Sequence, residues 1–174
     1  ASLEGAGFTD VRTVLASGNA LVTTTSGSAE AVRAEVEAAL RATFDRDVRV
    51  IVRTQADLVA LSEACPYPSD SETHHAYVVL LGDPAETGTA FSTVTAAVAA
   101  STEAAASGSA SAPGAGAFDG AVDEAVVAGD GVLYWWCPRG SSLTTPVSKT
   151  VDRLSRTTLT TTRNLRTLAR LTSG

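Results

Sequence analysis

Two β-prone runs joined by a tight turn, then an amphipathic helix, then a further β-prone run, occur twice along this chain. That repetition restricts the fold more than any single motif does. In the first copy, residues 10–15 and 20–25 are rich in Val, Thr and Leu and flank Ala16-Ser17-Gly18-Asn19, the signature of a hairpin. Ser28 is an N-cap for the segment that follows, with Glu30 in its first turn. Val32, Val36, Leu40 and Phe44 recur at every fourth position, with Glu30, Arg33, Glu37 and Arg41 on the other side, so residues 28–44 are an amphipathic helix. Residues 48–53 then read as a short strand. In the second copy, residues 121–127 and 132–136 flank Ala128-Gly129-Asp130-Gly131, Thr145-Pro146 opens a helix with Val147, Val151 and Leu154 inward, and residues 157–160 close as a strand.

The second hairpin is itself preceded by an apolar strand, residues 75–81, and by a helix opened at Asp83-Pro84 with Phe91, Val94 and Val98 on one face. Ahead of the first hairpin only residues 1–7 remain, with Leu3 before Gly5 and Gly7 in the manner of a helix end. The expected fold is therefore α+β, built from tandem duplicated ferredoxin-like (βαββαβ) halves at residues 1–68 and 69–174. The first half lacks its first strand and most of its first helix, and the chain opens without Met, so upstream residues are expected. Between the halves, Thr54 and Asp57 form a capping box for a short helix that stops near Cys65-Pro66-Tyr67-Pro68. A flexible Ala/Ser/Gly-rich insertion is expected near 99–118, its most mobile part being residues 107–116. Thr161 or Thr162 is expected to cap a terminal helix with Leu165, Leu168 and Leu171 on one stripe.

Composition narrows the classes. At 44% hydrophobic residues the chain can bury a core, and no apolar run approaches the roughly 20 residues that span a bilayer. No signal peptide is visible, and the chain reads as cytoplasmic, with no membrane partner. A net charge of −6 argues against general nucleic-acid binding. The charge is uneven: residues 147–174 carry six cations against the single acid Asp152, a net +5, which leaves −11 for the remainder. Two cysteines, Cys65 and Cys137, give neither a disulfide framework nor metal-site spacing and read as reduced, partly buried thiols.

Gly7-Phe8-Thr9-Asp10-Val11-Arg12-Thr13, followed by Leu15-Ala16-Ser17-Gly18-Asn19, resembles the GFTDVRTYLQSGNVVF stretch of a bacterial family, domain-of-unknown-function family 1697. Thr161-Thr162-Arg163-Asn164 is similar to that family's TTRNWNTV. The resemblance implies a tandem ferredoxin-like fold and no established activity. The family's LRGINVGG strand and loop would lie upstream of Ala1, and Leu165 and Arg166 stand where the family has Trp and Asn.

Candidate chemistry is sparse. His74 and His75 are neighbours on a strand and point to opposite faces, so they do not chelate one metal, and no metal or other cofactor is implied. Neither cysteine has a histidine near it in sequence to serve as base. In Tyr134-Trp135-Trp136, alternation sends Tyr134 and Trp136 to one face and Trp135 to the other, a pattern that fits packing better than base stacking. Ser17-Gly18-Asn19 reads as a turn that offers amides and a side-chain amide.

The candidate anion-binding residues are Arg163, Asn164 and Thr162 at the start of the terminal helix, with Asn19 as a second wall. Arg163, Arg166 and Arg170 are expected on one helical face. Two functions compete: a non-enzymatic binding or interaction module, and an enzyme acting on a small phosphate- or carboxylate-bearing substrate.

Overall fold

Strand β3 (His74–Leu81) is apolar from Ala76 onward, apart from the Tyr77 hydroxyl, and is bounded by Gly82-Asp83. A run of that kind must be covered on both faces and paired along both edges. In the computed structural model, which describes residues 2–15, 18–106 and 124–172, β3 pairs antiparallel with β5 (Val132–Pro138) on one side and β6 (Thr160–Asn164) on the other. Strand β4 (Ala125–Gly129) lies outside β5, which gives the order β4-β5-β3-β6. With helices α4 (Thr87–Ala106) and α5 (Pro146–Leu154) these strands make one compact unit, residues 65–165. The described chain is thus α+β, with two antiparallel sheets and six α-helices.

The helices of this unit start where capping chemistry puts them. Asp83 caps a short 3-10 turn, Pro84–Glu86, by accepting a bond from the Ala85 amide at 2.9 Å, and α4 follows directly. Thr145 caps α5 by accepting from the Ser148 amide at 3.1 Å, with Pro146 at the first helical position. Val79 and Leu81 of β3 and Leu133, Trp135 and Cys137 of β5 pack against Ala90 and Val94 of α4 and Val147 and Val151 of α5. Phe91, Val98 and Leu154 border this core. Alternate residues Val78, Leu80, Val132 and Tyr134 are also buried, so both faces of the two central strands exclude water.

Helix α4 corrects one expectation. Residues 99–106, assigned above to the insertion, are its last turns, because a stretch dominated by Ala is the best of helix formers. The remainder of the expected insertion, and the mobility expected at 107–116, lie outside the described residues.

The other unit holds residues 1–64 and 166–174. It contains α1 (Ser2–Gly5), the hairpin β1 (Thr9–Val14) and β2 (Asn19–Thr23), α2 (Ala29–Phe44), α3 (Gln55–Glu63) and, from Arg166 onward, the body of α6 (Leu165–Thr172). Ser28 caps α2, and Thr54 with Asp57 closes a complete capping box on α3. Asp10 takes the left-handed conformation (φ 51°) where the β1/β2 register shifts. The Gln55 side-chain amide donates to the Leu171 carbonyl at 3.4 Å and ties α3 to α6.

Residues 48–53 are not a ladder strand. Propensity supplies the extended tendency, but a strand exists only with a partner. Among the described residues β1 and β2 form a sheet by themselves, and the Val50 amide donates to the Glu37 carboxylate of α2 at 2.9 Å. The C-terminal expectations shift as well. The last strand runs over Thr160–Asn164 rather than 157–160, and α6 begins at Leu165. Thr161 and Thr162 therefore cap nothing, and Arg163 does not share a helical face with Arg166 and Arg170. Consecutive threonines suit a pleated strand as well as they suit a cap, and pairing with β3 decides between the two. The leucine stripe holds: Leu165, Leu168 and Leu171 are buried.

One buried acid fastens the unit of residues 65–165. Glu124, 9% exposed, accepts from the Trp135 indole N–H at 3.1 Å with one oxygen and from the Val147 amide, in the first turn of α5, at 3.3 Å with the other. The carboxylate meets the positive end of the helix dipole. Replacing Glu124 by Ala is expected to lower stability by about 1–3 kcal/mol, because two buried donors lose their acceptor. A urea titration followed by far-UV circular dichroism measures this, and an unchanged midpoint would show that the carboxylate is not a fastening.

Candidate ligand-binding site

Strand β6 carries three of the four candidate residues, and strand geometry separates them. Thr162 stands opposite Val79 and Asn164 opposite Tyr77, so both belong to the face that α4 and α5 cover. Arg163 stands opposite Val78, on the other face, together with Thr161. The guanidinium is half-buried and held by its own strand. Its Nη1 donates to Thr161 Oγ1 at 2.6 Å and to the Thr162 carbonyl at 2.8 Å. Burial pulls Arg163 below the ordinary arginine value. Thr161 is the neighbour that the candidate set missed. Once β6 is a strand, its period of two selects Thr161 as the residue beside Arg163.

Asn19 belongs to the other unit, as the first residue of β2. Its side-chain amide donates to the Val14 carbonyl across the turn at 3.1 Å, so it helps to close its own hairpin. Gly18, at φ 75°, supplies the left-handed residue that this turn requires, while Ala16 and Ser17 lie outside the described residues.

The remaining candidates pack rather than react. The rings of Tyr67 and His74 both stack on Trp136, at centroid distances of 5.2 and 4.8 Å, and His75 meets Tyr77 edge-on. Trp135 is buried on the helix-covered face and Trp136 is half-buried on the opposite one, as alternation requires. Among the described residues no group of three or more His, Cys, Asp or Glu side chains is placed to hold a metal, and no buried side-chain polar atom lacks a hydrogen-bond partner. No helix among them is long and apolar enough to cross a membrane.

Both cysteines are free, Cys65 half-buried and Cys137 buried. Burial pushes the Cys137 thiol up to about 12, helped by the nearby Glu124 carboxylate. Burial also raises Cys65, against a smaller opposing effect of a backbone hydrogen bond at Tyr67. Near pH 8, a thiol at about 12 holds roughly a thousandfold less thiolate than one at its ordinary value. Iodoacetamide is therefore expected to label Cys65 in the folded chain and to reach Cys137 only in denaturant, as peptide mass spectrometry reads it. Equal labelling of the two in the folded state would contradict the burial argument.

Comparison with known proteins places the chain without giving it an activity. Neither the curated proteins nor the solved structures yield a match. Residues 1–110 match the model of the family described as "Protein of unknown function (DUF1697)". That span includes the Gly7–Asn19 segment and stops short of the β6 residues. Because it takes in more than half of the 174 residues, the chain belongs to the DUF1697 family.

Proposed function

We propose that this chain is a non-enzymatic binding or interaction module that takes a small anionic ligand at Arg163. The observation that carries this reading is a guanidinium partly withdrawn from water on a sheet face and fixed by two hydrogen bonds to its own strand. A desolvated, pre-positioned cation interacts with a phosphate or carboxylate more strongly than a solvated one does, and little side-chain freedom remains to be lost on binding. Thr161 adds a hydroxyl on the same face. Thr162 and Asn164 contribute through the backbone of β6 rather than by pointing at the same ligand. The raised thiols speak against the enzymatic alternative in its nucleophilic form, since a catalytic cysteine needs a lowered value.

We further propose the tandem ferredoxin-like architecture, with halves near 1–68 and 69–174, as the frame of this module. Unit 65–165 runs β3-α4-β4-β5-α5-β6. The other unit has a hairpin and a helix in the same order, followed by the β-prone residues 48–53. The element without a counterpart there is the central strand β3. A strand in the corresponding place would pair with both β2 and 48–53 and would cover the half-exposed Val36 and Leu40 and the exposed Phe44 of α2. A longer polypeptide that supplies this strand is expected to melt several degrees higher, by differential scanning calorimetry. An unchanged transition would count against the duplication.

Titration of inorganic phosphate into the chain and into Arg163→Ala, followed by calorimetry, tests the ligand. Binding that weakens with salt and falls at least about tenfold in the variant is expected, on the scale of one lost charge-assisted contact. Identical titrations of the two proteins would remove the site.

A further inference from the structure

We draw no further inference here: the strongest candidate, the side-chain cluster of Tyr67, His74 and Trp136 on the sheet face opposite α4 and α5, has its rings stacked on one another and its neighbours Ser71, Thr73 and Arg139 hydrogen-bonded within the cluster, and nothing in the structure shows a ligand that it would take.

Discussion

The unmet hydrogen-bonding demand of backbone in extended conformation organises this molecule. A strand withdrawn from water must hand its N–H and C=O groups to a neighbour on each covered side. Strand β3 meets that demand on both edges, through β5 and β6, and the helices α4 and α5 can then lie flat on an uninterrupted apolar surface. In the other unit, where the described sheet has two strands, the consequences are local and specific. Residues 48–53 have the same β-branched character, yet the Val50 amide turns to the Glu37 side chain of α2, and the apolar stripe of that helix is left half-covered.

The same demand moved the candidate site. Thr160–Asn164 pairs with β3 along its length, which draws the chain out straight where a helix start was expected. An arginine in the first turn of a helix would have added its charge to a ring of free amides. An arginine on a strand instead shares a flat face with every second residue, and its surroundings are set by Thr161 and by the neighbouring strand. The geometry and the companions expected for the residue do not survive the change.

Legibility of the fold in the sequence followed the range of the interactions involved. Local interactions were readable: Ser28, Thr54, Asp83 and Thr145 all cap as their side chains suggest, and the periodic stripe of α5 faces inward. Decisions made by distant partners were not. Whether 48–53 becomes a strand depends on a ladder neighbour far away in sequence, and the same holds for the boundary between β6 and α6. Residues 99–106 were assigned to the insertion because small side chains resemble a linker by composition, while Ala is the strongest helix former by propensity. Of the site, the charge of Arg163 was visible in the sequence, and the face it would share was not.

The placement of the two tryptophans governs how this protein is observed. Both sit on β5, adjacent in sequence and on opposite faces of one sheet. All tryptophan emission therefore originates from a single strand of the unit 65–165, with one indole tied to Glu124 and the other stacked on Tyr67 and His74. The unit that holds α1, β1, β2, α2 and α3 is dark at those wavelengths. A fluorescence melt would report the breaking of one half and pass over the other, so a transition that looks cooperative by that signal says nothing about whether the two units unfold together.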